Sequence, residues 1–452
     1  MRNALVVGLG MLAAVAAAAQ DTRVVTEPKI PAACVVLKAE LTAGAKGLDA
    51  ADETKLDTVR VQKAIDGCGE GNAVEFAGDA GKNAFLIAPI TMKAGVTLAV
   101  DKGVTVYGSR NPRDYDDELG SCGINKDGKQ GCRPLISGRG TANAGIMGDG
   151  VIDGRGGSKM LVEGKESSTW WELGYQSKTM GHQQVPRLIV MDHSDNFTLY
   201  RITLKNAAFF HVTYSNGDGF TVWGLKIDTP ANAPNTDGVD PGSSKNITVT
   251  ESFIRDGDDD IAIKGGSGPV TNMSVIHNHF YYGHGMSIGS ETTAGVSKIR
   301  VTDLSLDGTT WGIRIKSEQA YGGLVHDVVY DDVCIRGSKN PILLDTNYSA
   351  NPKPGAGKIP VYQDIVLHNV RVSGGGKIQL SAFDSTHRIG IQFDGVTLDA
   401  PTSYKFDIHH ADITFGPGPV NFRPIGEDST ARGTLKNGTL SGCGDKFVPF
   451  PQ

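Results

Sequence analysis

The chain has 452 residues and a formal net charge of -6, so it lacks the basic surplus that holds nucleic acid. Its 59 glycines, together with many Thr, Val, Ile and Asn, favour strands and turns over a helical bundle. Length alone allows one or two domains, unless a solenoid extends one core coil by coil.

In chain order, residues 1–19 combine Arg2, an apolar run and small residues ending at Ala17-Ala18-Ala19. This pattern predicts a secretory signal peptide, too short for a spanning helix, and an exported chain that is free of the membrane once processed. Residues 20–70 then form an extended lead-in and a cap. Within them, Thr58 to Cys68 predicts a helix with Val59, Val61, Ala64 and Ile65 on one face, Asp57 or Thr58 capping its start and Gly67 ending it. Such a helix would shield the open end of the first coil.

From Ala73 the pattern changes to short apolar runs such as AVEFAG, AFLIAPI and VTVYGS, each of strand length. Asn111–Arg133 and Gly154–Gln184 read as polar insertions, with Trp170 and Trp171 of the second taken as packing residues. FTLYRITL, FTVWGLKI, ITVTESFI, MSVIHNHF, IRVTDLSL and VHDVVYDDV then start roughly 25 residues apart, a solenoid period. No helical pattern separates them, which argues against βαβ units. The fold expected is all-β, a right-handed parallel β-helix with its hand set by the crossover rule. NPKPGAGK (Asn351 to Lys358) reads as a rim loop. The outline returns in IVLHNVRV and IQFDGVTL, and residues 401–452 are expected as a tail over the last coil, all of 20–452 forming one domain.

Six cysteines in an exported chain point to disulfides. Cys122 and Cys132 bracket a short loop, and Cys34 with Cys68 would tie the amino-terminal segment to the first coils. Cys334 and Cys443 are either a third bridge or two buried thiols.

Four polar signatures stand between strand-like runs in the middle of the chain: NTDGVD from Asn235, GDDD from Gly257, GHG from Gly283 and RIK from Arg314. Successive coils lie ~4.8 Å apart, so groups one repeat apart in sequence become neighbours in one groove. Three carboxylates in reach suit acid–base cleavage of a glycosidic bond, and their mutual repulsion raises at least one pKa. Arg314 and Lys316 alternate with Ile315 and so share the outer face, where they suit a polyanionic substrate. A calcium loop counted from Asp256 would need Gly and Glu where Ile261 and Ser267 stand, so no metal or other cofactor is expected. Asp258 and Asp259 cannot both face the groove from a regular strand, which predicts a bulge or turn.

NTDGVD, GDDDIAIK, GHGMSIGSE and RIKS, in this order and spacing, together resemble the signature set of the polygalacturonases, glycoside hydrolase family 28. The likeness extends through SCGINKDGKQGC, WWEL and PRLI, is greatest to bacterial endo-acting members, and fades after about Val396. It implies endo-hydrolysis of α-1,4 links in demethylated pectin with inversion, by a monomer whose partner is the polygalacturonate chain. Asp258 matches the general acid, Asp237 and Asp259 the water-activating carboxylates, and His284 their support. Arg314 and Lys316 match the pair that holds the substrate carboxylate, with Tyr348 and Asn235 as further substrate contacts. Asp260 departs from the Asn or Cys common at its position. Carboxylates on adjacent coils, about 5 Å apart, would suit a retaining enzyme by the general spacing rule, whereas the family inverts. Competing readings are an exo-acting hydrolase, a calcium-dependent pectate lyase and a non-catalytic β-helical carbohydrate binder.

Overall fold

The computed structural model describes residues 20–123, 131–180, 184–348, 358–426 and 428–452. The signal-peptide segment and most of the expected rim loop at Asn351 lie outside them. The described chain winds into a parallel β-helix. Its two main sheets have 21 and 11 strands, and register is parallel from coil to coil, as in Val212↔Val239↔Ile261↔Met286↔Ile313↔Ile342.

The larger sheet is bent where a left-handed residue recurs from coil to coil. Arg201, Gly224, Glu251, His277, Asp303, Asp332, Asn369 and Gly395 all have φ between 51° and 75°. A single residue in this region reverses the pleat without ending the ladder, and Gly, Asn and Asp tolerate it best. Inside, Phe197, Phe220, Ile247, Met273, Ile299, Val328, Ile365 and Ile391 belong to one continuous core, so each coil buries its apolar face on the next.

Helix α1 (Thr58–Gly67) buries Val61 and Ile65 in that core. Neither expected cap acts as one. The Asp57 carboxylate takes the Arg60 guanidinium and the Leu86 N–H instead, and Thr58 Oγ1 accepts from Ala88 N. Val59 faces solvent, since a residue two positions from Val61 falls on the opposite flank of a helix. A second helix, α2 (Trp170–Met180), occupies the insertion read as polar loop. Its start is a reciprocal cap: Glu172 N donates to Thr169 Oγ1 at 3.0 Å and Thr169 N to Glu172 Oε2 at 2.7 Å. Trp170 is buried edge-on to Tyr115, and Trp171 Nε1 donates to Ala207 O at 2.9 Å.

All three cysteine pairs are bridged, Cys34–Cys68, Cys122–Cys132 and Cys334–Cys443. The coils continue past the expected boundary at Pro401, through Tyr404–His409 and Ala411–Phe415. Val420 and Phe422 then close the end, Phe422 against Phe393 and Phe406. The rest of the tail turns back along the outside of earlier coils. Cys443 fixes it at Cys334, Lys446 pairs with Asp303 and Asp332, and Phe450 lies 4.0 Å from the Arg255 guanidinium.

Candidate functional site

The smaller sheet carries the polar column. Along its middle strands the inward residues Val239, Ile261, Ile263, Met286, Ile288, Ile313 and Ile315 are fully buried. Residues between them face outward, and Ala262, Ser287 and Arg314 stand in one row. Alternation therefore places Arg314 and Lys316 on the groove floor while Ile315 anchors their strand.

Asp256 to Asp260 form the expected turn between the strands Phe253–Arg255 and Ile261–Ile263. Hydrogen bonds from both sides fix it. Gly257 N donates to Thr236 Oγ1 at 2.9 Å, Asp258 N to Asp256 Oδ1 at 3.0 Å, and His284 N to Asp258 O at 2.6 Å. The turn sends Asp258 and Asp259 to different surroundings.

Asp258 keeps 17% of its side chain exposed, and its Oδ1 meets His284 Nδ1 at 2.9 Å. Its Oδ2 accepts from Asn235 Nδ2 at 3.3 Å. His284 is held edge-on to Trp311, ring centres 4.5 Å apart. Asp259, by contrast, is buried and receives Arg314 Nη1 and Ser287 Oγ at 2.8 Å each and Lys316 Nζ at 2.7 Å. Burial alone would raise its pKa. Lys316, Arg314 and Lys264 overturn that and hold the carboxylate ionised, well below the usual range. Arg314 is sandwiched between Trp311 at 4.0 Å and Tyr348 at 5.4 Å, and Lys316 Nζ lies 5.2 Å from the Tyr348 ring. Tyr348 itself is 45% exposed, so it roofs the cations and still meets solvent.

Asp237 sits on the other side of the turn with Asp240, a residue of the NTDGVD motif that sequence reasoning left without a role. Both are buried, and among the described residues Asp237 Oδ1 and both Asp240 oxygens have no hydrogen-bond donor. Lys264, the last residue of GDDDIAIK and also unassigned from sequence, stands 3.9 Å from Asp237, 3.8 Å from Asp240 and 3.9 Å from Glu291. Burial, then the neighbouring charges of Asp240 and Asp258, push Asp237 well up. Burial pushes Asp240 up to about 7, against the pull of Lys264. The two flanks therefore pull in opposite directions, towards the protonated acid at Asp237 and Asp240 and towards the carboxylate at Asp259.

Asp260 is buried under the next coil, where its Oδ2 accepts from Gly285 N at 2.9 Å. The glycines around His284 follow from this packing. A Cβ on Gly283 would stand 2.7 Å from Asp260 Oδ2, and one on Gly285 would stand 2.2 Å from Trp311 O. The sequence-predicted residues thus divide into three groups. Asp258 takes His284 on one oxygen and Asn235 on the other, Asp259 gathers Arg314, Lys316 and, through Arg314, Tyr348, and Asp237 lies with Lys264.

Oxygen or nitrogen atoms of Asp258, Asp259 and His284 lie within 4.8 Å of one another. As a metal set they fit poorly, because both Asp259 oxygens already serve cationic donors.

Between pH ~4, where an unfolded Asp titrates, and about 7, where native Asp240 does, the native state binds more protons than the unfolded. Stability contributed by this flank therefore falls as pH rises through that window. Asp259, shifted the other way, gives stability that is lost only as pH drops below ~4. The melting temperature is expected to decline from pH 5 to pH 7, reflecting on the order of a few kcal/mol. Asp240→Asn should flatten that slope in a calorimetric pH series, and an unchanged slope would remove Asp240 as its source.

A solenoid groove in which two carboxylates differ so sharply in environment suits acid–base cleavage of a glycosidic bond. Residues 68–414 match the family model for Glycosyl hydrolases family 28, and the chain belongs to that family of glycoside hydrolases. It is 37% identical to a polygalacturonase of Ralstonia nicotianae, over 94% of this chain and 92% of the relative. It is 39% identical to an endo-polygalacturonase of Pectobacterium carotovorum, over 89% and 95%. The polygalacturonase structure from Erwinia carotovora superposes with a TM-score of 0.74 at 35% identity, covering 93% of this chain and 98% of that one. A family 28 exopolygalacturonase from Yersinia enterocolitica, at 23% identity and a TM-score of 0.68 over 90% and 79%, shares the fold.

Proposed function

We propose that the chain is an exported, monomeric endo-polygalacturonase that hydrolyses α-1,4 links between galacturonate units of demethylated pectin. One observation carries the reading: a hydrogen-bonded Asp258–His284 pair stands beside Asp259, which is locked to Arg314 and Lys316 in the same groove. Asp258, the more exposed of the two adjacent carboxyls, protonates the leaving oxygen, with His284 Nδ1 on its Oδ1 and Asn235 on its Oδ2. Asp259 and Asp237 orient water on the opposite face of the sugar. The ammonium and guanidinium on Asp259 also face the groove, where a sugar carboxylate adds a second anion to share them. The bond between the anomeric carbon and the leaving oxygen breaks as water's oxygen attaches and ionised Asp259 takes the water's proton, so a single displacement inverts the anomer. The close spacing of Asp258 and Asp259 is no objection, since Asp259 acts here on the water together with Asp237, from across the turn. Export agrees with the three disulfides and the leader pattern.

Viscosity loss outpacing reducing-end release on polygalacturonate is the expected result, with saturated products and activity that survives EDTA. Release of single galacturonates from chain ends at matched viscosity would shift the reading to the exo mode. Unsaturated, ultraviolet-absorbing product that vanishes with chelator would replace it with the lyase.

A further inference from the structure

Most cations of the groove already have an anionic partner. Arg314 and Lys316 hold Asp259, Lys264 faces three carboxylates, and Lys377 pairs with Asp407 at 2.6 Å. Arg187 differs. It is exposed, and among the described residues no carboxylate lies within ion-pairing distance of it, although its charge reaches buried Asp240. Its guanidinium rests 5.7 Å from the ring centre of Phe209 and 5.1 Å from that of Phe210, and these two half-buried rings are stacked 4.1 Å apart. Lys264 Nζ lies 5.5 Å from the same Phe210 ring, so the platform borders the catalytic flank directly.

The ladder fixes its position. Leu188 N donates to Phe210 O, His211 N to Asp237 O, and Gly238 N to Asp259 O. Arg187 is therefore three coils from Asp259, about 14 Å along the axis at ordinary strand spacing. Arg314 is two coils from Asp259 in the opposite direction, by the register of Ser287 with Arg314.

We propose that Arg187, braced on Phe209 and Phe210, is a specificity-determining residue that binds the carboxylate of a galacturonate unit on the side of the scissile bond away from Arg314 and Lys316. This rests on the polygalacturonase reading above and extends it to the far arm of the groove. Ring faces hold the guanidinium plane and leave its N–H edge free, the arrangement that suits bidentate capture of a carboxylate. A substrate laid along the axis then meets fixed cations on both sides of the catalytic turn, so affinity grows with each charged unit that reaches one.

The test compares parent, Arg187→Gln and Arg187→Lys on galacturonate oligomers of increasing length, with melting temperatures as a folding control. The expected result is a fall of about tenfold in the ratio of kcat/KM on hexamer to that on trimer for Arg187→Gln, expressed in KM, the size of one charge-assisted contact. Arg187→Lys should recover part of it, since it keeps the charge and loses the fork. Combined with Lys316→Met, the effects should be additive, as for sites that share no ligand group. An unchanged length dependence in Arg187→Gln, with a parent that still cleaves polygalacturonate, overturns this inference and leaves the enzyme assignment standing. A parent that fails on polygalacturonate overturns the assignment itself.

Discussion

Asp258→Asn is expected to cut turnover on polygalacturonate by about a thousandfold, within the range that a positioned general acid supplies. The loss should fall on kcat and leave KM and melting temperature near the parent's. Geometry is the reason: Asn keeps the Oδ1 that accepts from His284 Nδ1 and from Asp259 N. Its new amide replaces only the Oδ2 that faces Asn235, and an Asn235 flip restores that contact. What disappears is the transferable proton. The measurement is steady-state kinetics on reducing-end release, with binding of the inactive variant to polygalacturonate followed separately. Turnover within tenfold of the parent would move the acid elsewhere, and the proton-holding Asp237–Asp240 flank would be the next place to look.

The sequence made the coil legible because its signal is repetitive. Each strand offers apolar residues at the same offsets, and a period near 25 residues survives local variation. The site was legible for the same reason, since residues a repeat apart had to meet. It was less legible wherever a contact depended on direction and not on period. Arg314 and Lys316 were read as outward cations waiting for substrate, but the turn at Asp258 drops Asp259 between them, a consequence of backbone geometry that spacing does not encode. Asp240 and Lys264 lay inside quoted motifs and went unassigned because only the fold shows them 3.8 Å apart. Helix α2 had its signal in plain view, Thr169 three residues before Glu172, masked by the polar character of the insertion. The late coils beyond Pro401 escaped because their outline is weak: Lys405, Phe406 and Asp412 leave little alternation to follow, and pairing with the preceding coil decides.

Substrate choice gives the second large effect. Lys316→Met is expected to abolish most of the enzyme's preference for demethylated over highly esterified pectin, a change of about tenfold or more, because charge-assisted contacts are worth roughly 1.5–3 kcal/mol. The variant carries a cost that the sequence did not reveal. Lys316 Nζ also holds Asp259 Oδ2 at 2.7 Å, and removing one member of a buried pair destabilises by about 3–5 kcal/mol. Arg314 and Ser287 remain on the other oxygen, which keeps Asp259 ionised but less firmly placed. Overall activity will therefore drop for a reason unrelated to the substrate carboxylate, and absolute rates decide nothing. The informative quantity is the ratio of kcat/KM on the two polymers within each protein, from which stability and the placement of Asp259 cancel. If Lys316 reads the carboxylate, esterifying the substrate and deleting the ammonium remove opposite ends of one interaction, so the two losses do not add. If the variant keeps the parent's full ratio, Lys316 serves Asp259 alone, and the reading of the substrate charge passes to Arg314 and the groove's other cations.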